Sequence, residues 1–510
     1  MGSFLSPITS ILTAYKYFNF WGITMDIDWS LIFQIIVVVN AALAILTVFR
    51  EKRDIAAIWA WLLVLVFIPV VGFIAYAFIG RKLPKNRLFK LHSHVQMQLD
   101  ERLEEQRRQL GSEQKTASDV ISKRAISAVN MFSKTSSSFL ARQNKVKIFT
   151  DGRSLFHRVI EDIEGARKSI HIEFYTFYND KLGNEILDLL VKKAQEGVEV
   201  RVIYDSWGSM GTTRKFFKPL NDAGGHAYPF LNTRSVILDF RLNFRDHRKI
   251  IVVDGMIGYT GGFNIGDQYL GRKKKFGNWR DTHMRIIGSG VFGLQARFIL
   301  DWNATSPTSL INEDKVDPKY FPVTTTKGSV NMQIVSSGPD SDLQQIKMGY
   351  IKLITLARDY CYIQSPYLIP DDSVLDALRI AASSGVDVRI MVPSMPDHPF
   401  VYRATQYYAR QLAEEGIKVY YYDNGFMHAK TMVIDDSMAS VGSANMDYRS
   451  FKLNFEINSF IYDEKVATEL KNIFVNDMDR STLQTPEMFK KQSSWLKFKQ
   501  TFSRLLSPIL

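Results

Sequence analysis

The chain has 510 residues, 46% of them hydrophobic, and a formal net charge of +12 at pH 7. This apolar content is enough to fill the cores of more than one domain, and a single cysteine, Cys361, excludes an internal disulfide framework. The basic excess favours an anionic partner, either nucleic acid or an acidic membrane surface.

The N-terminal part of the sequence predicts attachment to a membrane. Residues 1–28 lack the basic start of a signal peptide, and we expect an interfacial helix or an unstructured tail over residues 1–24. Uncharged stretches follow at 29–49 and 56–79. Each is long enough to cross a bilayer about 30 Å thick, so both are predicted transmembrane helices, with a buried core helix as the alternative.

Charge next to the second stretch predicts the orientation of the chain. Five basic residues follow residue 80 before the first acidic residue, Asp100. Because positively charged flanks stay on the inner side, we expect a multi-pass protein of the bacterial cell membrane whose remaining domains are cytoplasmic.

The composition then changes several times along the rest of the chain. Residues 80–143 are polar and predict a helical linker. Residues 144–325 and 326–485 predict two homologous α/β domains. The tail 486–510 is basic and amphipathic, and it could lie on an anionic membrane or dock on the second domain.

The two α/β domains begin with the same strand–helix–strand pattern. In the first, apolar runs predict strands at Ser169–Phe177 and Val198–Asp205 around a helix at Leu182–Ala194. The second repeats the order, with strands at Tyr360–Tyr367 and Val386–Val392 and the helix at Val374–Ala382. A β-α-β unit implies parallel strands, so the sequence predicts two related domains packed as a pair.

One polar motif occurs in both domains in the same register. His247–Gly262 reads HRKIIVVDGMIGYTGG, and His428–Gly442 reads HAKTMVIDDSMASVG. In each copy a lysine follows the histidine by two residues, an aspartate follows five residues later, and an asparagine lies beyond. The two sets are His247, Lys249, Asp254 and Asn264, and His428, Lys430, Asp435 and Asn445.

The spacing of this motif predicts a hairpin that presents histidine and lysine together. Residues two apart on a strand share a face, so each His/Lys pair should project side by side. The aspartates come where a turn is expected, either as catalytic residues or as turn formers only. Gly262 and Ser443 follow the second strand, where small side chains let backbone approach a ligand.

Two imidazoles and two ammonium groups suit chemistry on an anion. One histidine can attack phosphorus while the other donates and accepts the alcohol proton. The lysines and the asparagine amides can stabilise charge on phosphate oxygens, so we expect neither a metal nor another cofactor. The acids Asp281 and Glu456 can orient an imidazole or form a structural salt bridge.

With these motifs in place, the chain resembles the phospholipase D superfamily, whose mark is a paired HxKxxxxD followed by GGxN or GSxN. The N-terminal stretches and the phrases EFYTF, LNFRDHRKI, GGFNIGDQY, QSPYLIPD, FMHAKTMVIDD and GSANMDYRS resemble its bacterial cardiolipin synthase branch. The resemblance covers nearly all of residues 30–480. It implies two phospholipase D-like domains that share one active site.

The resemblance also implies a reaction. One phosphatidylglycerol gives its phosphatidyl group to a histidine, glycerol leaves, and a second phosphatidylglycerol attacks to give cardiolipin. The family assigns the nucleophile to the first copy, hence His247, with His428 as general acid and base, although the spacing leaves that order open. Phosphatidylglycerol and anionic membrane lipids are then the expected partners, and the sequence gives no oligomeric state.

Other functions remain possible on the same scaffold. A hydrolytic phospholipase D or a phosphatidylserine synthase would differ only in the acceptor. A nuclease would use the basic surface on DNA, which the two apolar stretches argue against. A catalytically inactive lipid-binding protein would not need complete motifs in both halves.

Overall fold

The protein is described here by a computed structural model. It describes residues 17–20, 23–26, 55–68, 101–109, 123–231, 243–307, 310–312 and 317–507, with isolated positions between 30 and 76. Contacts divide the chain into two units, residues 1–83 with 235–243, and residues 84–234 with 244–510.

The first unit contains a short hairpin and an apolar helix. Strands β1 (Tyr17–Phe20) and β2 (Ile23–Asp26) pair antiparallel, so the interfacial helix considered for residues 1–24 is wrong over these strands. Helix α1 (Ile55–Phe67) lies in the second predicted transmembrane stretch. Most of the stretch 29–49 lies outside the described residues. Within the described parts of the chain, no helix reaches the length and apolar character of a membrane span.

The described elements in the first half of the second unit extend from Lys123 to Thr305. Its strands are β3 (Ala141–Phe149), β4 (Ser169–Phe174), β5 (Glu199–Tyr204), β6 (His226–Pro229), β7 (Arg245–Asp246), β8 (Lys249–Val253), β9 (Ile257–Gly261), β10 (Trp279–Arg280) and β11 (His283–Ile287). Its helices are α2 (Lys123–Thr135), α3 (Gly152–Glu164), α4 (Lys181–Gln195), α5 (Lys218–Asp222) and α6 (Gly290–Thr305).

The second half repeats this order and adds elements at its end. Its strands are β12 (Val330–Ser337), β13 (Tyr360–Gln364), β14 (Leu368–Ile369), β15 (Asp387–Pro393), β16 (Lys418–Tyr422), β17 (Phe426–Met427), β18 (Thr431–Ile434), β19 (Met438–Gly442), β20 (Met446–Asp447), β21 (Asn454–Tyr462) and β22 (Ser481–Gln484). Its helices are α7 (Gln345–Leu356), α8 (Asp372–Ser383), α9 (Pro399–Glu414), α10 (Tyr448–Lys452), α11 (Glu464–Met478), α12 (Pro486–Lys490) and α13 (Ser494–Leu505).

One sheet runs through both halves, and its strand order shows the duplication. From the junction outward, β3, β11, β9, β8, β4, β5 and β6 of the first half correspond to β12, β21, β19, β18, β13, β15 and β16 of the second. The antiparallel pair β3–β12 joins the two series. The mixed α/β architecture with two related halves therefore agrees with the predicted fold class.

The predicted strand–helix–strand units are confirmed in both halves. Strands β4 and β5 pair in parallel with α4 between them in sequence, and β13 and β15 do the same around α8. The strand that carries each His/Lys motif then joins antiparallel, β8 beside β4 and β18 beside β13. This arrangement brings each motif to the carboxyl end of the first parallel strand of its half.

Part of the segment predicted as a polar linker is packed into the fold. Val129 and Phe132 of α2 have no exposed surface, and the Phe132 ring lies 4.3 Å from that of Phe460. Arg124 donates to the Asp435 carboxylate at 2.7 Å. The segment is helical as predicted, but the linker role is wrong for α2, because its apolar residues, three positions apart, form a stripe on one helical face despite the polar composition around them.

Candidate active site

The two histidines lie at matching places in the two halves. Lys249 pairs with Phe174, the last residue of β4, so His247 lies just beyond the carboxyl end of that strand. Thr431 pairs with Gln364, the last residue of β13, which places His428 beyond that strand in the same way. The predicted hairpins are confirmed, since β8 pairs with β9 and β18 with β19.

Short backbone bridges join each histidine to the opposite half. Strand β7, which leads to His247, pairs in parallel with β21, and the His247 amide donates to Phe455 O at 2.9 Å. Strand β17, which leads to His428, pairs in parallel with β10, and the His428 amide donates to Arg280 O at 2.7 Å. Each histidine is therefore held against the segment that carries the other half's acidic residue.

The side chains repeat this crossed pattern. His247 Nδ1 lies 2.9 Å from both carboxylate oxygens of Glu456, and His428 Nδ1 lies 2.6 Å from Asp281 Oδ2. An ionised carboxylate only accepts hydrogen bonds, so Nδ1 carries the hydrogen and Nε2 keeps a lone pair. The acids thus fix the tautomer and the orientation of both rings.

Burial and positive neighbours favour the neutral form of both imidazoles. His247 and His428 are 8% and 7% exposed. Burial, then Lys249, Lys430 and His428, hold the pKa of His247 well below its ordinary value. Burial and Lys430 lower the pKa of His428 to about 4, although Asp281 acts in the opposite direction. Without a bound anion, both rings therefore favour the form that is unprotonated at Nε2, which is the form that a nucleophile needs.

The two lysines are buried beside the histidines. Each Nζ donates to the carbonyl oxygen of the histidine two residues earlier, Lys249 to His247 at 2.5 Å and Lys430 to His428. Burial lowers the pKa of Lys249 to about 7 and that of Lys430 to about 8. A bound phosphate would oppose this effect, because a negative charge favours the ammonium form.

The pKa values of the two acidic partners shift in opposite directions. Burial raises the pKa of Glu456 to about 7, with Lys249 acting against it. Burial also acts to raise the pKa of Asp281, but Lys430 and His428 together lower it below its ordinary value. The two histidines therefore sit in matched geometry but unequal electrostatic surroundings.

Gly262 and Ser443 occupy equivalent positions in the two halves, Gly262 beside Asp281 and Ser443 beside Glu456. The Gly262 and Ser443 amides donate to Thr282 O and Ile457 O, which lie one residue after Asp281 and Glu456. The Ser443 hydroxyl donates to Glu456. A Cβ at Gly262 would lie 2.0 Å from Asp281 Oδ1, so glycine here is what lets Asp281 reach its position.

The asparagines are buried in the same region and hydrogen-bonded within the protein. Asn264 Oδ1 accepts from Thr176 N, and its Nδ2 donates to the Tyr269 hydroxyl, both at 3.2 Å. Asn445 Nδ2 donates to Asp447 Oδ2 at 3.2 Å. Each amide nitrogen has two hydrogens, so these bonds are compatible with a second donation to a ligand.

The motif aspartates are placed in the turns. Asp254 and Asp435 have φ of 53° and 48°. The Asp254 carboxylate accepts from three successive backbone amides, Arg167 to Ser169, and the Asp435 carboxylate from Arg358 to Tyr360. These contacts tie each turn to the residues before the neighbouring strand and favour the turn-forming alternative over a direct catalytic role.

Comparison with known families matches both halves and the N-terminal region. The family described as cardiolipin synthase, PLD-like domain, matches residues 159–276 and 350–478. The family described as phospholipase D-nuclease N-terminal matches residues 38–81.

Full-length relatives extend the match to almost the whole chain. A cardiolipin synthase of Listeria innocua serovar 6a is 48% identical over 476 residues, which cover 93% of this chain and 98% of the relative. A cardiolipin synthase of Staphylococcus aureus is 47% identical over 473 residues, covering 93% and 95%. The chain belongs to the cardiolipin synthase family. It is therefore an enzyme of the phospholipase D superfamily.

A solved structure supports the fold of this cardiolipin synthase family member. Phosphatidylserine synthase from Haemophilus influenzae Rd KW20 aligns with a TM-score of 0.57 and 17% identity, covering 73% of this chain and 97% of that structure. At this identity the likeness speaks for the fold alone.

Sequence reasoning missed the residues that make the two sides of this cardiolipin synthase site unlike. The Tyr175 ring lies 5.1 Å from that of His247, whose pKa the Arg449 charge also lowers. On the other side the Trp279 ring lies 5.1 Å from that of His428. The sequence does contain one sign of this difference. Arg449 occupies the position that corresponds to Gln268 in the first copy of the repeat.

Proposed function

We propose that this enzyme transfers a phosphatidyl group from one phosphatidylglycerol to another, giving cardiolipin and glycerol. The observation that carries the proposal is the crossed pairing of His247 with Glu456 and of His428 with Asp281, beside two buried lysines. Two oriented imidazoles among cations suit a phosphodiester substrate and a phosphohistidine intermediate.

In the first step the lone pair on His247 Nε2 attacks phosphorus. The bond from phosphorus to the glycerol oxygen breaks, and protonated His428 gives its proton to that oxygen. The bound phosphate supplies the negative charge that raises the pKa of His428 enough to hold this proton. Glycerol leaves, and the phosphatidyl group remains on His247. The family resemblance assigns His247 as the nucleophile.

In the second step the acceptor reverses this sequence. A terminal glycerol hydroxyl of a second phosphatidylglycerol gives its proton to His428 and attacks phosphorus. The phosphorus–nitrogen bond breaks, cardiolipin leaves, and both histidines return to their starting states. Two phosphodiesters are exchanged for two, so no ATP is needed.

The other site residues would hold the phosphate and stabilise its transition state. Lys249 and Lys430 place positive charge where the non-bridging oxygens become more negative. We assign Asn264 and Asn445 as further donors to these oxygens. Gly262 and Ser443 act on the substrate indirectly, through the position of Asp281 and Glu456. This chemistry requires neither a metal nor another cofactor.

Membrane attachment is part of the proposal. We propose that residues 29–49 and 56–79 are transmembrane helices and that the two catalytic halves lie on the cytoplasmic side of the cell membrane. In support, α1 is uncharged and exposes Trp59, Leu63 and Phe67 at 54% or more. The net charge of +12 then matches anionic lipids rather than nucleic acid.

Product analysis with phosphatidylglycerol as the sole lipid tests this function. The full chain in detergent–lipid micelles should form cardiolipin and release one glycerol for each cardiolipin. Phosphatidic acid as the dominant product would mean hydrolysis, since water would have replaced the lipid acceptor. Adding serine separates the remaining alternative, because a phosphatidylserine synthase would then make phosphatidylserine.

A further inference from the structure

The last helix of the chain exposes a stripe of large apolar side chains. Helix α13 carries Trp495, Phe498, Phe502 and Leu505, which are 63%, 58%, 48% and 71% exposed. Their spacing of three, four and three residues places them on one helical face. The Trp495 and Phe498 rings stack at 5.5 Å and the Phe498 and Phe502 rings at 6.4 Å, so the three aromatic side chains form one continuous surface.

The polar side of the same helix is the side that docks on the protein. Gln500 and Ser503 are 0% and 2% exposed. Arg410 of α9 donates to Gln500 Oε1 at 3.2 Å, and Arg504 donates to the Tyr407 hydroxyl at 3.1 Å. A helix on a folded domain normally buries its apolar face. Here that face points outward, which calls for an apolar partner.

The charges around the stripe indicate what kind of partner fits. Lys497, Lys499 and Arg504 interrupt the apolar residues, and the chain has no acidic residue after Glu487. Lys499 Nζ lies 5.1 Å from the Trp495 ring centroid. Tryptophan and phenylalanine next to basic residues are typical of helices that lie in the headgroup region of anionic bilayers.

The position of the helix relates the stripe to the active site. The contacts of α13 with α9 run antiparallel, since Gln500 meets Arg410 and Arg504 meets Tyr407. The C-terminal end of α13 therefore lies beside the middle of α9, and α13 runs toward the N-terminal end of α9, where Phe400 is 54% exposed. That end of α9 follows the carboxyl end of β15, the sheet edge beyond which His428 also lies.

We propose that α13 is an interfacial helix that lies on an anionic lipid bilayer. The side chains of Trp495, Phe498, Phe502 and Leu505 would insert at the boundary between the headgroups and the acyl chains. Its polar side stays bound to α9, so the folded domain and the bilayer are joined through this helix. The contact would hold one edge of the active site beside the surface from which an anionic lipid enters. The proposal concerns binding and is independent of the reaction.

A single fluorescent label can test this contact in the full chain. The native cysteine, Cys361, is fully buried, so a cysteine placed at an exposed site is labelled selectively. We would label Phe498→Cys with an environment-sensitive dye and reconstitute the protein into vesicles of phosphatidylcholine with phosphatidylglycerol. The matched control is Asp188→Cys, an exposed position on α4. Both carry His247→Ala, so lipid turnover does not enter the measurement.

The emission maximum of the label at 498 should shift to shorter wavelength in vesicles. Brominated acyl chains should quench roughly half of this emission, as expected for a side chain below the headgroups. The control label should do neither. Lys497→Glu with Lys499→Glu should abolish the effect at 498. Equal quenching at both positions, no quenching at 498, or the same quenching in pure phosphatidylcholine would overturn the proposal. A shift without lipid that grows with protein concentration would do so too, because it would assign the stripe to a second copy.

Discussion

His247 hydrogen-bonds through Nδ1 to the carboxylate of Glu456, 2.9 Å away and carried by the opposite half of the duplicated fold. His428 and Asp281 repeat this relationship in the other direction. Neither half alone contains an oriented imidazole. We therefore expect catalysis to depend on the packing of the two halves as directly as on the histidines themselves.

The position of Asp281 depends on a glycine. A methyl group at Gly262 would collide with the Asp281 carboxylate, because its carbon would lie 2.0 Å from Oδ1 of that residue. We expect Gly262→Ala to reduce kcat by roughly 100-fold, because a catalytic group displaced by about 1 Å loses that much. Steady-state kinetics on folded protein would measure it.

Ser443→Ala is the matched control for this glycine substitution. Ser443 is the equivalent residue of the second half and gives Glu456 a hydrogen bond, but its removal displaces no atom. The loss in kcat should stay below about 10-fold, which corresponds to the low end of the range for one hydrogen bond to a charged group. Equal losses in the two variants would contradict this assignment.

The buried lysines predict an early alkaline decline in activity. Burial lowers the pKa of Lys249 to about 7 and of Lys430 to about 8. Because a lysine with a lowered pKa loses its charge at a lower pH, kcat/KM should fall as pH rises through this range. Lys430→Arg keeps its charge, so it should be slower at its optimum but move the decline to higher pH. If the decline in Lys430→Arg and Lys249→Arg came at the same pH as in the unaltered enzyme, the two lysines would be excluded as its cause.

Asp254 and Asp435 should affect stability more than turnover. Each carboxylate accepts three backbone amides at a turn, and Asp435 also binds Arg124 at 2.7 Å. We expect Asp254→Asn and Asp435→Asn to lower the free energy of unfolding by about 2 kcal/mol each. The kcat of the folded fraction should fall less than about 10-fold. Denaturant unfolding combined with active-site titration separates the two effects, and a 1000-fold loss of kcat in stable protein would favour a catalytic role.

Arg449 provides a test of the unlike surroundings of the two histidines. Arg449→Gln restores the residue type of the first copy and removes a positive charge that acts on His247. Arg449 adds positive charge beside His247, where the phosphate is proposed to bind. We therefore expect the KM for phosphatidylglycerol to rise about 10-fold with a smaller change in kcat. Lys452→Gln on the same short helix is the control. An unchanged KM would remove Arg449 from substrate binding.

Much of the fold could be predicted because local patterns agree with tertiary structure there. The strand expected at Val198–Asp205 is β5, Glu199–Tyr204, and the helix expected at Leu182–Ala194 is α4, Lys181–Gln195. The turn expected at Asp254-Gly255 has positive φ at both residues. In each case apolar period or turn chemistry is contained in a few neighbouring residues.

The crossed pairing could not be predicted, because it depends on contacts between distant segments. Asp281 and Glu456 stood out as possible partners of an imidazole, but nothing in the sequence says which histidine each would meet. The bridges that decide it, β7 with β21 and β10 with β17, are each only two residue pairs long, and β7, β10 and β17 are too short to carry a periodicity. The burial of helix α2 was missed for a related reason, since Val129 and Phe132 are buried by residues far along the chain, such as Phe460.

The most direct test of the shared site is cardiolipin formation by His247→Ala, His428→Ala and the double variant, with the exposed His157→Ala as control. Each single variant should lose at least ~10³-fold in turnover, and the double variant should lose little more, because nucleophile and acid act as a unit. His157→Ala should match the unaltered enzyme. Retained cardiolipin formation in either single histidine variant would contradict the account.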